Sequence, residues 1–264
     1  MEKRLSVLNA ISVILVIAVS YISQTGIING NTMGSLSAEY YNLFTPAGDA
    51  FAIWGLIFLG LLVFSGYQLY QAFGPKRDLA FLRKSGYWFF VANLANAAWV
   101  FAWLNELTAL SVLLMFLILF SLIKVILHTN MERWDAPINI IAFSWWPICL
   151  YSGWITVAAI ANVSAYLSKI GWHAPFFSEE IWTLLLIIIA GIINIAIIYL
   201  RNMREFAAVG VWALIAIYFR HFDEIPLISY TALITAVIIF SNIVYHGWMN
   251  RKTNPMYKLF NKEN

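Results

Sequence analysis

The chain has 264 residues, of which 62% are hydrophobic, 17% are aromatic and only 11% are charged, and its net charge is +3. Soluble domains are about one quarter charged, and a chain of this composition cannot hide so much apolar surface from water. The composition therefore excludes a soluble protein and favours an integral membrane protein.

We predict an all-α, polytopic membrane helix bundle with about eight transmembrane helices, because a helix needs roughly 20 apolar residues to cross the hydrocarbon core. The apolar segments cover about residues 5–24, 49–73, 85–105, 107–128, 136–163, 180–200, 204–221 and 226–248. No long polar linker separates these segments, so they are expected to form a single bundle. The fifth segment is long enough to tilt or to begin at the interface before Pro147, and the seventh is short.

The distribution of basic residues predicts the orientation, because Lys and Arg near helix ends stay on the cytoplasmic side. With the N-terminus inside, only Lys169 and Arg220 of the 16 basic residues lie outside. We therefore predict a protein of the inner or plasma membrane with both termini in the cytoplasm, and no nucleic-acid partner. The basic start Met-Glu-Lys-Arg fits an uncleaved first helix or a signal peptide, and the missing small-residue cleavage pattern favours the former.

Tryptophan and asparagine recur along one face of the second, third and fifth predicted helices, since spacings of three and four residues return to the same face. The three patterns are Pro46-x7-Trp54-x3-Phe58, Asn96-x2-Trp99-x3-Trp103 and Tyr151-x2-Trp154-x3-Ala158-x3-Asn162. In the predicted orientation all of them lie in the outer half of the membrane. They predict an aromatic-lined pocket for a flat hydrophobic ligand. The alternative is that the tryptophans form interface belts and the asparagines only join helices.

These residues resemble the TspO/MBR family of tryptophan-rich sensory or translocator proteins. The second helix of that family carries Pro-x7-Trp-x3-Tyr, the third Asn-x2-Trp and the fifth Tyr-x2-Trp-x3-Ala-x3-Asn. The segment EYYNLFTP (39–46) matches the family loosely. The resemblance covers roughly residues 1–165 and implies a five-helix ligand-binding core there. Residues 166–264 then add three transmembrane helices and a cytoplasmic tail to the same bundle.

The resemblance implies that Trp54, Phe58, Asn96, Trp99, Trp154 and Ala158 line a pocket for a porphyrin or other tetrapyrrole, a sterol or a synthetic aromatic ligand. The first loop, about residues 25–48, would act as a lid, with Tyr41, Pro46 and Asp49 at the entrance. The chain departs from the family in its three added helices, in the loss of a hydroxyl at Phe58 and in the position of Pro147. Relatives are often dimers, so a homodimer is left open.

The sequence supports no catalytic residue and no metal site. No histidine pair has metal-ligand spacing, and the single Cys149 excludes a cysteine-based zinc site or an intrachain disulfide. The favoured function is a ligand-binding receptor that acts as sensor or carrier. Three alternatives remain: a transporter of a small hydrophobic or cationic solute, a structural protein, and a photo-oxidative porphyrin-degrading enzyme. The last is implied only by the resemblance, with Trp54 and Trp154 as its redox pair.

Overall fold

The computed structural model describes residues 2–74, 79–172, 176–251 and 257. Every regular element in these residues is helical, which confirms the predicted all-α membrane fold. The helices are α1 (Glu2–Ile22), α2 (Met33–Glu39), α3 (Ile53–Phe73), α4 (Ala80–Ser85), α5 (Trp88–Leu104), α6 (Thr108–His128), α7 (Ile138–Ile140), α8 (Trp146–Lys169), α9 (Glu179–Arg201), α10 (Arg204–His221) and α11 (Pro226–Met249).

Each of the eight predicted apolar segments forms a helix. Six helical stretches of the described chain are long and apolar enough to cross a membrane: Glu2–Ile22, Gly48–Phe73, Thr108–His128, Ile138–Lys169, Glu179–Arg201 and Pro226–Met249. The other two predicted segments are α5, which has 17 residues, and α10, which has 18 residues with charges near both ends. Five basic residues that entered the orientation argument lie outside the described residues: Lys76, Arg77, Lys252, Lys258 and Lys262.

Local chemistry sets the helix ends. The Ser178 side chain accepts a hydrogen bond from the Ile181 N–H at the start of α9, which satisfies one of the free amides of the first turn. Asn202 adopts a left-handed conformation (φ 62°) and ends the same helix. Pro226 occupies the first turn of α11, where its missing N–H costs nothing.

A π-helical turn, Ile141–Trp145, joins α7 to α8. Pro147, the second residue of α8, lies two positions after its end and has no N–H to donate to a carbonyl one turn earlier. Such an interruption widens or bends a helix, so the fifth predicted segment is one long helical stretch with an irregular turn before Pro147.

Contacts group the chain into two compact units. Unit 1 comprises Met1–Asn42, Trp54–Asn130 and Ala158–Trp172, and unit 2 comprises Leu43–Ile53, Met131–Val157 and His173–Asn264. The two units do not follow chain order. Helix α8, for example, contributes its first half to unit 2 and its second half to unit 1.

Polar side chains join helices inside unit 1. Asn9 of α1 donates to Gln68 of α3 at 2.8 Å, and Asn93 of α5 donates to Ser12 of α1 at 3.0 Å. All four side chains are buried. Hydrogen bonds of this kind contribute about 1 kcal/mol each between helices in a membrane. Some of the chain's asparagines therefore do act as interhelical links.

Glycines allow close helix approach inside unit 2. A Cβ at Gly153 of α8 would lie 2.8 Å from the Phe206 carbonyl oxygen of α10. At Gly210 of α10, a Cβ would lie 2.5 Å from the Asn194 side chain of α9. The obstructing atom at Gly153 belongs to the backbone, so this glycine sets how closely α8 approaches α10. At Gly210 the obstructing atoms are the end of the Asn194 side chain, which a larger residue would displace.

Candidate ligand-binding site

Two tryptophans at the Leu104 end of α5 form a parallel aromatic pair in unit 1. Trp99 and Trp103 are one turn apart, and their rings lie 6.3 Å apart at an interplanar angle of 19°. The i, i+4 spacing places both rings on one face of the helix, as the sequence pattern predicts. Both side chains are buried.

Asn162 of α8 connects this pair to a third helix. The Trp99 Nε1–H donates to Asn162 Oδ1 at 3.2 Å, and Asn162 Nδ2 donates to Ser111 Oγ of α6 at 3.0 Å. The structure thus brings together Trp99 and Asn162, two predicted site residues on different helices. Ser111 was not predicted. Its signal in the sequence is a hydroxyl within an otherwise apolar helix, which buries itself only where a partner exists.

Trp103 differs from Trp99 in its hydrogen bonding. Its Nε1–H is buried, and within the described part of the chain it has no acceptor. Tyr40, which follows α2 in the lid loop, packs edge-on against the Trp103 ring at 6.1 Å and 75°. Tyr40 is a site residue that the sequence patterns did not single out.

The predicted entrance residue Tyr41 is exposed, and its carbonyl accepts from Ser168 Oγ at 3.1 Å.

A polar clamp fastens the lid loop next to this pair. The Tyr40 hydroxyl donates to Glu106 Oε2 at 2.6 Å, and Lys169 Nζ donates to the Glu106 carbonyl at 2.6 Å. Lys169 also lies 3.7 Å from Glu106 Oε2. The hydrogen bond from Tyr40, with Lys169 nearby, lowers the pKa of Glu106. Burial, together with the Glu106 carboxylate, raises the pKa of Tyr40. The clamp is therefore formed at neutral pH.

Glu106→Gln is expected to loosen the lid loop. Because the pKa of Glu106 is lowered, its stabilising effect is present above the ordinary value of 4.5 and is lost as the pH falls through the lowered value. At pH ~7 we expect severalfold faster hydrogen–deuterium exchange at the backbone amides of residues 33–42 in this variant. The difference from the wild-type protein should disappear in acid. Glu39→Gln, which removes an exposed carboxylate of the same loop, is the control, and equal exchange in Glu106→Gln and wild type would contradict the clamp.

The remaining predicted residues of unit 1 lie on three helices. Trp54 and Phe58 of α3 stack at 5.1 Å and 27°, and both are half-buried. Asn96 of α5 is buried one turn before Trp99, and Ala158 of α8 is half-buried one turn before Asn162. The i, i+4 stack on α3 agrees with the spacing in the sequence.

Tyr151 and Trp154 belong to unit 2, where both are buried. The Trp154 ring meets Phe51 edge-on at 5.8 Å and 81°. Phe51 lies in the short 3-10 helix Gly48–Ala52 and was not predicted, because a single phenylalanine in an apolar segment carries no distinguishing signal. Edge-to-face pairs of this kind contribute about 1 kcal/mol beyond their buried area.

Helix α10 holds the segment Leu43–Ile53, also in unit 2. Arg220 donates to the Thr45 carbonyl at 2.7 Å and to the Pro46 carbonyl at 3.3 Å. Trp212 Nε1–H donates to the Ala50 carbonyl at 3.0 Å. The predicted entrance residues Pro46 and Asp49 thus lie in a segment that α10 anchors. Pro46 is buried and Asp49 is exposed.

Comparison with protein-family models gives one match, to a family described as TSPO-like protein, over residues 6–245. The match spans most of the chain and includes α9, α10 and most of α11, so it extends beyond residues 1–165 on which the resemblance rested. No curated protein and no solved structure matches the chain.

Proposed function

Because the chain belongs to the family of TSPO-like proteins, we propose that it binds a flat hydrophobic ligand against Trp99 and Trp103 and acts as a sensor or carrier. The protein is an integral membrane helix bundle. The ligand classes that suit two parallel indole rings are a porphyrin or other tetrapyrrole, a sterol-like molecule or another aromatic compound, since each has an extended flat face.

The observation that carries the proposal is the buried Nε1–H of Trp103, a member of the parallel ring pair, for which the described residues offer no acceptor. A buried donor without an acceptor costs about 1–3 kcal/mol. A ligand that stacks on the indoles and offers a carbonyl, carboxylate or hydroxyl oxygen to this N–H would remove that cost. The Trp99 N–H cannot bind a ligand oxygen in this way, because it already donates its hydrogen bond to Asn162.

The lid loop supports the same proposal. Tyr40 packs directly on Trp103, and its hydroxyl is held by Glu106. Asn29 and Asn31 of the loop also donate to the Leu104 carbonyl, at 3.2 and 3.3 Å. A loop that is tied to the α5 end at several points excludes water and lipid from the indole pair. Opening of these ties would admit the ligand.

The resemblance to the family extends the proposal to residues that no contact described above joins to this pair. We include Trp54, Phe58, Asn96 and Ala158, all of unit 1, as contributors to ligand binding. A role in ligand binding for Tyr151 and Trp154 stays a prediction of the resemblance. The same proposal includes a division of the chain into a ligand-binding core (residues 1–165) and an added part (166–264). It also places the site in the outer half of the membrane and both termini in the cytoplasm.

The direct test is a titration of the full chain in lipid nanodiscs with protoporphyrin, a sterol and a polycyclic aromatic dye. We expect at least one of them to quench tryptophan fluorescence saturably at one molecule per chain. The same ligand should raise the thermal unfolding midpoint, because ligand at 100 times its Kd stabilises a protein by about 2.7 kcal/mol. Linear, non-saturating quenching with all three probes, equal to that of partition into lipid, would reject the proposal.

A further inference from the structure

Three metal-binding side chains meet in unit 2, away from the tryptophans. They are Glu132 in the loop between α6 and α7, Cys149 in α8 and Glu205 in the first turn of α10. One carboxylate oxygen of each glutamate and the Cys149 sulfur all lie within 4.8 Å of one another. The three residues are far apart in sequence, so spacing rules for metal ligands do not reveal them.

One carboxylate oxygen of each glutamate in this cluster has no hydrogen-bond partner within the described residues. Glu132 Oε1 and Glu205 Oε2 are each buried, and neither has a hydrogen bond within the described residues. No ion pair closer than 4.0 Å is formed by either carboxylate in that part of the chain. Cys149 is a free, fully buried cysteine. Buried carboxylates are retained in proteins when a partner or a metal ion compensates their desolvation.

The ligand set matches a divalent cation in charge. A bound ion requires the two carboxylates and the Cys149 thiol in their deprotonated forms, which together carry three negative charges. A divalent cation offsets two of these charges, and the Arg204 guanidinium, which acts electrostatically on both glutamates, offsets the third.

The loop that carries Glu132 is held in place by backbone contacts. Asn202 Nδ2 donates to the Glu132 carbonyl at 2.7 Å, and Arg201 donates to the Met131 carbonyl at 3.0 Å. Arg133 in turn donates to the Leu200 carbonyl at 3.2 Å. Glu132 itself has a left-handed backbone (φ 60°), a conformation that survives only where the surroundings fix it. Contacts other than an ion therefore hold the backbone that carries this carboxylate.

We propose that Glu132, Cys149 and Glu205 bind a divalent cation of the zinc class. Thiolate sulfur and carboxylate oxygen are both established zinc ligands, and three protein ligands leave the fourth tetrahedral position for water. An ion bound at about 2.3 Å from sulfur and about 2.1 Å from oxygen separates its ligand atoms by about 3.5 Å. The three ligand atoms lie within 4.8 Å of one another, so side-chain rotation on binding would have to bring them closer together. The proposal goes beyond ligand binding at Trp103 and does not depend on it.

The test is a titration of the full chain in nanodiscs with Co²⁺, which adopts zinc-like tetrahedral geometry and reports a bound thiolate by a charge-transfer absorption band. We expect this band to saturate at one ion per chain and to be bleached by Zn²⁺. Cys149→Ser, which is nearly isosteric, should lose the band. Glu205→Gln should weaken binding by about 100-fold, since even loss of an outer-sphere partner costs 10–100-fold.

The matched control is Glu180→Gln, which removes an exposed carboxylate at the start of α9 and should bind Co²⁺ as the wild-type protein does. Absence of a charge-transfer band in the wild-type protein would overturn the site. So would a band that persists in Cys149→Ser, or a Glu205→Gln variant with unchanged affinity, because each removes a proposed ligand from the ion.

Discussion

Trp103→Ala is expected to lower the affinity for the flat ligand by about 100-fold, because it removes one of two stacking rings and the only free N–H of the pair. A stacked aromatic contact contributes about 1 kcal/mol beyond buried area, and a hydrogen bond to a buried donor about 1–1.5 kcal/mol. With the lost contact area the total reaches about 2.7 kcal/mol, which is a factor of 100. The measurement is the same fluorescence titration in nanodiscs.

Two further variants separate the possible causes of such a loss. Trp103→Phe keeps an aromatic ring and removes the N–H, so it should lose about tenfold in affinity. Trp248→Ala removes a tryptophan of α11 whose side chain is 61% exposed, and it should bind as tightly as the wild-type protein. If Trp103→Ala and Trp248→Ala bound the ligand equally well, tryptophan content alone and not this pair would explain the binding.

Gly153→Leu is expected to destabilise unit 2 by about 3 kcal/mol or more, because overpacking of a close-packed contact forces the backbone apart. A Cβ at this position meets the Phe206 carbonyl oxygen at 2.8 Å and the Val209 Cβ at 3.1 Å. Neither atom is the end of a flexible side chain, so α8 and α10 must separate. Thermal unfolding in detergent, followed by helical circular dichroism, measures the effect as a lower midpoint.

The control for this prediction is another glycine in a helix. A Cβ at Gly66 of α3 meets nothing within 4 Å, so Gly66→Ala should stabilise its helix by about 0.5–1 kcal/mol through helix propensity alone. The stability of Gly153→Ala should lie between those of Gly153→Leu and Gly66→Ala, with a loss of about 1–2 kcal/mol in the free energy of unfolding. A Gly153→Leu variant as stable as the wild-type protein would show that the two helices do not pack as closely as the structure describes.

Much of the fold was predictable because hydropathy is a local property. Each apolar segment found in the sequence is a helix, and the spacing of Trp99 and Trp103 correctly predicts two rings on one face of α5. The stack of Trp54 on Phe58 follows from the same periodicity. Local end signals, such as Ser178 before α9 and Pro226 in α11, were equally present in the sequence.

The partners of the site residues were less predictable. The asparagine pattern identified Asn162 but not its hydrogen bonds to Trp99 and Ser111. Tyr41 was predicted at the entrance, whereas the residue of the lid loop that packs on the Trp103 ring is Tyr40. The anchoring of Leu43–Ile53 by α10 had no counterpart in the motifs, because Arg220 entered the sequence analysis only as a basic residue on the outer side and Trp212 did not enter it.

The sequence by itself determined that this is a membrane-embedded, all-helical chain of the TSPO-like family, and which residues share a helix face. Those properties depend on transfer of a segment from water to lipid and on 3.6 residues per turn, and both act over one helix length. Only the tertiary structure decided that the buried Trp103 N–H has no acceptor among the described residues, or that Cys149 meets two carboxylates. Contacts between residues so distant along the chain depend on how whole helices pack, which no local pattern specifies.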